Sequence, residues 1–229
     1  MSAGRVVPVE LVCLDMAGTT VTDDGAVEEA FVAAIESVGD YGAKESAELL
    51  AYVRDTMGTS KITVFRALLG DERVAAAANV AFERAYHAIV AAGRVSPIPG
   101  ATEAIGALRE AGHKVALLTG FSAGTRDEII EVLGWRDLVD LALCPSDARR
   151  GRPYPDLVLT AVLRLGIDDV AAVAVAGDTA ADVLSARRAG AAIAAGVLTG
   201  ADGRERLVAA GATHVLASVA DLPALLVGS

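Results

Sequence analysis

Asp15, Thr119, Arg152, Asp178 and Asp182 are the residues whose types and spacing can do chemistry in this chain. Each of the first two closes an apolar run, in Leu14-Asp15-Met16-Ala17-Gly18-Thr19 and Thr119-Gly120-Phe121. Arg152 lies in Gly151-Arg152-Pro153, and Asp178 follows a third run in Gly177-Asp178-Thr179, with Asp182 four residues on. Singly these are weak signals, because an Asp after a strand is commonly a cap or turn former and a Thr there is commonly structural. Together and in this order they supply a nucleophilic carboxylate, a hydroxyl, a cation and a further carboxyl pair. That set is what phosphoryl transfer through an aspartyl intermediate with Mg²⁺ requires.

The elements that must position these groups are short apolar runs alternating with helical patterns. Strands are expected in 9–15, 114–119, 138–144, 170–178 and 191–199, with a weaker one in 213–218. Near-continuous apolar strands separated by helices predict an α/β fold, a doubly wound, Rossmann-like parallel sheet covered on both faces. Ligands of such sheets bind beyond the carboxyl ends of the strands, where Asp15, Thr119 and Asp178 fall. The stretch between the first two strands is too long for one crossover and carries helical periodicity throughout. It predicts an inserted helical cap over 22–97, with the α/β core formed by 1–21 and 98–229 and hinges near 20–24 and 96–100.

Composition narrows the partners. The 229 residues are 53% hydrophobic, enough for one sizeable core and a small added module. A net charge of −10 argues against nucleic acid, whose phosphates demand a basic surface, and leaves a small anionic substrate to be met by a local basic pocket. No apolar run approaches the ~20 residues of a membrane helix and residues 1–10 lack a signal-peptide core, so no membrane partner and a cytoplasmic location are expected. Cys13 and Cys144 fall in apolar segments that read as neighbouring strand interiors, which predicts buried free thiols. His87, His113 and His214 read as structural.

On the motifs quoted above, the chain resembles the haloacid dehalogenase superfamily of hydrolases over essentially its whole length, cap included. The resemblance implies that Asp15 is the nucleophile and that Asp15, the Ala17 carbonyl and Asp178 hold Mg²⁺. It further implies that Thr119 and Arg152 bind phosphoryl oxygens, and that Asp182 supports the metal through waters or its outer shell. Phosphatases of the superfamily usually place a second Asp two residues after the nucleophile, where it protonates the leaving alkoxide. Ala17 can do neither that nor the later activation of water.

Another device for the leaving group is present in the cap. Only three of the twenty Lys and Arg residues are lysines, Lys44, Lys61 and Lys114. An amine can form a Schiff base and a guanidinium cannot, so a mid-cap lysine in an arginine-rich chain is a candidate for covalent chemistry. Asp15-x-Ala17-Gly18-Thr19, Gly151-Arg152-Pro153 and Met57-Gly58-x-x-Lys61 together resemble the phosphonatase branch, the phosphonoacetaldehyde hydrolases and their relatives. The resemblance implies C–P cleavage of a 2-oxoalkylphosphonate, with Lys61 condensing with the carbonyl and Met57, Gly120 and Phe121 against the substrate. It also implies pairing of two chains through their caps. Met57 equally fits an ordinary core position.

Val64 and Phe121 depart from that branch, which has His and Tyr there. Water or another group then moves protons, or the substrate is a related 2-oxoalkylphosphonate, or Lys61 binds an anion. Two other functions stay open: a Mg²⁺-dependent phosphate-monoester phosphatase of the same superfamily and a non-catalytic phosphometabolite-binding module. Halide displacement fits poorly, because Asp178 retains a metal site it does not need.

Overall fold

The computed structural model describes residues 7–227 except 23 and 42; the remaining positions, which the expected domain boundaries include, lie outside the described residues. Six strands, β1 (Leu11–Asp15), β2 (Lys114–Leu118), β3 (Leu141–Leu143), β4 (Val173–Gly177), β5 (Ile193–Val197) and β6 (His214–Leu216), form one parallel sheet in the order β3-β2-β1-β4-β5-β6. The chain winds outward from β1 to β3, then returns to the other side of β1, so the winding reverses between β1 and β4. Ligands of open α/β sheets gather at that reversal.

Side chains on a strand alternate between faces, and here both faces are covered. Val12 and Leu14 join one core with Ile105 and Leu108 of α5 (Ala101–Glu110) and Ile129 of α6 (Ala123–Val132). Leu11 and Cys13 join the other with Leu157 and Ala161 of α7 (Asp156–Leu165) and Val183 and Ala186 of α8 (Ala180–Ala189). This double burial explains why the strands read as unbroken apolar runs. They are shorter than expected at their ends. Residues 170–172, for example, form a 3-10 turn because the Asp169 carboxylate accepts from the Ala171 amide at 2.8 Å, which starts a turn in place of a strand.

Among the described residues, four helices lie between β1 and α5: α1 (Ala26–Val38), α2 (Ala43–Asp55), α3 (Lys61–Leu69) and α4 (Glu72–Ala91). Asp71 caps α4 by accepting from the Arg73 and Val74 amides at 2.8 and 3.0 Å, and Gly70 ends α3 in the left-handed conformation that glycine adopts without a Cβ penalty. Phe31, Phe65 and Phe82 knit α1, α3 and α4 together, with centroids 4.9 to 6.2 Å apart. Such pairs add about 0.5–1.5 kcal/mol each beyond the area they bury. The chain leaves and re-enters the sheet layer through two adjacent segments. There the Thr22 amide donates to Ser96 O at 2.8 Å and the Ile98 amide to Thr20 O at 2.9 Å.

No helix of the described residues is long and apolar enough to cross a membrane. Cys13 and Cys144 are both free and fully buried, but β2 lies between β1 and β3, so they do not sit on neighbouring strands. Burial pushes the Cys13 thiol up to about 12. Since the thiolate is the reactive form, its abundance at pH 8 is roughly 10³-fold below that of an ordinary cysteine. In the native protein a maleimide should therefore leave Cys13 unmodified, and in denaturant it should label both thiols. Rapid native labelling mapped to Cys13 would contradict this packing.

Candidate active site

Register brings the chemical residues to one edge. Leu118 pairs with Asp15, and Ala176 with Leu14, so Thr119 and Asp178 emerge on either side of Asp15 at the carboxyl end of the sheet. Beyond Asp15 the chain turns tightly, with the Thr20 and Val21 amides donating to Met16 O at 2.9 and 2.8 Å. Gly18 sits in this turn at φ 81°, and a Cβ there would stand 2.5 Å from Asp178 Oδ2. Glycine is thus required by conformation and by close approach. Asp178 is held on both oxygens, by the Thr19 hydroxyl at 3.1 Å and the Ala201 amide at 2.8 Å.

Arg152 is buried among carboxylates. Its Nη1 donates to Asp15 Oδ1 at 2.6 Å and also to Asp182 Oδ1, while its Nε is buried with no hydrogen-bond partner among the described residues. Asp182 also accepts from the Thr179 amide at 3.1 Å and from the Thr179 hydroxyl, whose oxygen in turn accepts from the Asp182 amide at the start of α8. Its carboxylate is therefore committed to Arg152 and to the helix cap. Burial raises the Asp15 carboxyl to about 6, with Arg152 opposing and Asp182 adding to the rise. Burial also pushes Asp178 well above the usual carboxylate range, with Asp15 and Asp182 contributing.

The loop between α2 and α3 lies directly over this edge. A Cβ on Gly58, whose φ is 82°, would collide with the Thr179 hydroxyl, and one on Gly120 would lie 3.0 Å from Thr59 O. Lys61, the first residue of α3, is only 7% exposed. Its Nζ lies 5.1 Å from the ring centroid of Phe121 and 5.8 Å from those of Phe31 and Phe82, a cation–π cage. Phe121 is itself fixed by its amide, which donates to Thr119 Oγ1 at 3.2 Å, and by Tyr86 at 4.6 Å between centroids.

A cavity of about 420 Å³ is shared by Asp15, Met57, Lys61, Thr119, Arg152 and Asp178, and Ala17, Gly120 and Phe121 also line it. The structure thus gathers the residues singled out in the sequence around one space, with Asp182 standing behind Arg152. Val64 is buried in the helical core. Arg54 and Glu28 were not singled out, yet they line the same cavity as a two-pronged pair, with Arg54 Nε 2.8 Å from Glu28 Oε2. Their only sequence signal is opposite charge on separate helices, which does not reveal pairing. The Thr199-Gly200-Ala201 segment was legible in principle, since it begins at the last residue of the fifth expected strand, at the same sheet edge.

Carboxylate oxygens of Asp15, Asp178 and Asp182 lie within 4.8 Å of one another, all buried. With Asp182 engaged elsewhere, Asp15 and Asp178 are two hard oxygen donors whose joint ionisation burial opposes. A hard divalent cation such as Mg²⁺ fits that donor set.

A family model for haloacid dehalogenase-like hydrolases matches residues 9–190. A phosphonoacetaldehyde hydrolase of Hahella chejuensis is 30% identical over 190 residues, 75% of this chain and 62% of that protein. One of Pseudomonas paraeruginosa is 30% identical over 206 residues, 83% of this chain and 73% of that protein. The chain thus spans less than two thirds of the Hahella relative. Among solved structures, a hydrolase from Pseudomonas syringae superposes with a TM-score of 0.83 at 22% identity, covering 96% of this chain and 98% of that one. A phosphonoacetaldehyde hydrolase-like protein from Oleispira antarctica gives 0.76 at 26% identity, covering 97% and 93%.

Proposed function

The chain belongs to the haloacid dehalogenase-like hydrolases, and on that premise we propose that it is a phosphonatase-like enzyme cleaving the C–P bond of a 2-oxoalkylphosphonate. The observation that carries this reading is the placing of Lys61, an amine caged by three phenyl rings, in one cavity with Asp15, while Ala17 offers no acid for an alkoxide. Residues 22–97 act as the cap over a core of 1–21 and 98–229.

The Lys61 amine adds to the substrate carbonyl and water leaves, giving an iminium. Asp15 attacks phosphorus; the C–P bond breaks, and its electron pair moves toward the iminium nitrogen to give an enamine. Water then hydrolyses the aspartyl-phosphate, and the enamine takes a proton on carbon before water releases the carbonyl product from Lys61. Arg152, whose Nη1 is bound to Asp15 and Asp182, orients phosphoryl oxygens together with the Thr119 hydroxyl. Mg²⁺, held by Asp15, Asp178 and the Ala17 carbonyl, would reduce repulsion between carboxylate and anionic substrate. Phe121, Met57 and Gly58 line the cavity on the side of the inserted helices.

A phosphate-monoester phosphatase is the second reading, because the Asp15, Thr119, Arg152 and Asp178 set serves either ester or phosphonate. A panel of 2-oxoalkylphosphonates and phosphate monoesters tests the choice, with turnover of esters alone rejecting the C–P reading. Chelation by EDTA should abolish activity on every substrate and added Mg²⁺ should restore it. Undiminished turnover by metal-free protein would remove Asp178 from the metal site.

A further inference from the structure

We propose that Arg206 is a positioning residue that couples seating of the 22–97 helices to the loop that holds Asp178. It lies on the short helix α9 (Arg204–Ala209) and reaches across the seam between the inserted helices and the sheet layer. Its Nη2 donates to the backbone carbonyl of Asp55, the last residue of α2, at 2.7 Å, and its Nη1 lies 3.3 Å from the Asp55 carboxylate. Its Nε lies 3.2 Å from Asp202 Oδ1. From there the bonds run inward. Buried Asp202 accepts from the Ala180 amide at 2.6 Å and donates its own amide to Asp178 O at 3.1 Å. The preceding Ala201 amide is the one on Asp178 Oδ2, and Thr199 donates to Gly18 O at 2.7 Å.

One guanidinium therefore bridges the end of α2, two residues before Met57, and the carboxylate that fixes the start of α8 beside Asp178. The ion pair itself is exposed and contributes little. The bond to the last carbonyl of α2 is better placed, since a cation there also meets the negative end of the helix. Elsewhere along the seam, Glu83 accepts from Ser122 at 2.5 Å and from Thr125, and His87 lies 2.6 Å from Glu128. Those contacts hold α4 to α6 and make no bond to the Asp178 loop. Arg206 is a seam contact whose hydrogen bonds continue into it. The inference rests on the proposed reading of 22–97 as a cap, and coupling between sites is reciprocal: whatever organises the Asp178 loop also favours seating.

Inorganic phosphate, the product of phosphonate and ester hydrolysis alike, is the probe, titrated by calorimetry in Mg²⁺ buffer. Arg206→Ala and Arg206→Gln should each weaken phosphate binding about 5- to 20-fold, within the usual range of coupling between sites. On whichever substrate is turned over, KM should rise more than kcat falls. Asp55→Asn should stay within about twofold of wild type, because the backbone carbonyl remains. Glu83→Gln should leave phosphate binding near the wild-type value. Unchanged binding in both Arg206 variants overturns the proposal, as does an equal loss in Glu83→Gln, which would make Arg206 one seam contact among several. Should the alanine variant not fold, the glutamine variant decides alone. A wild type that binds phosphate but turns over no carbonyl phosphonate defeats the C–P reading and leaves this inference standing; one that binds no phosphate defeats both.

Discussion

Asp15→Asn should lower turnover by at least about 10⁴-fold on any substrate, the scale of loss seen when a covalent nucleophile is removed. The amide keeps the shape of the carboxylate and cannot form the acyl phosphate. Stability should not follow activity. Burial raises the Asp15 carboxyl to about 6, above its ordinary value, so ionising it opposes folding as pH rises through that range. In the absence of divalent cation, the asparagine variant should melt no lower than wild type at pH 8, and any advantage should fade toward pH 4, where wild-type Asp15 is protonated. Arg152 keeps Asp182 as a partner and is not left alone. Residual turnover within about tenfold of wild type would reject the covalent mechanism. An unfolded variant would show instead that the Asp15–Arg152 pair is needed to close the sheet edge.

Much of that edge was legible beforehand because strand periodicity and register are local to the chain. A parallel strand buried on both faces is an unbroken apolar run, and the residue after it must lie at the carboxyl edge. That is why Asp15, Thr119 and Asp178 could be grouped before their distances were known. Lys61 was reached differently, from its rarity among the cations and the motif around it. Its surroundings were hidden. Phe31, Phe82 and Phe121 come from α1, α4 and the turn after β2, and only the packing of those elements shows that they cage one ammonium. The function of Asp182 also depends on packing: spacing alone gave a carboxyl four residues after Asp178, and while its bonds to Thr179 are the local cap of α8, its bond to Arg152 arises where α8 meets the loop at 151–153. Cross-seam pairs such as Arg206 with Asp55 leave no sequence trace, because charge on two exposed helices is ordinary.

Lys61→Arg should fail as badly as Lys61→Ala, each losing at least about 10³-fold in kcat/KM on a 2-oxoalkylphosphonate. A guanidinium retains the charge but cannot condense with a carbonyl, so the arginine variant separates covalent chemistry from anion binding. Phenyl faces attract a cation, and at the iminium stage the positive charge draws electrons from the C–P bond. The same rings attract an ammonium, so it is the variants that separate the covalent role from the charge-only one. Arginine is also larger than lysine, so a poor fit could mimic lost chemistry, and two further measurements remove that ambiguity. Borohydride added to wild type with a 2-oxoalkylphosphonate should fix a mass increase on Lys61 by peptide mapping, absent from both variants. A small primary amine should partly restore turnover to Lys61→Ala, since free amine can form the imine in the space vacated. If Lys61→Arg keeps turnover within about tenfold of wild type and borohydride fixes no adduct, Lys61 serves as a charge and the phosphatase reading replaces the C–P one.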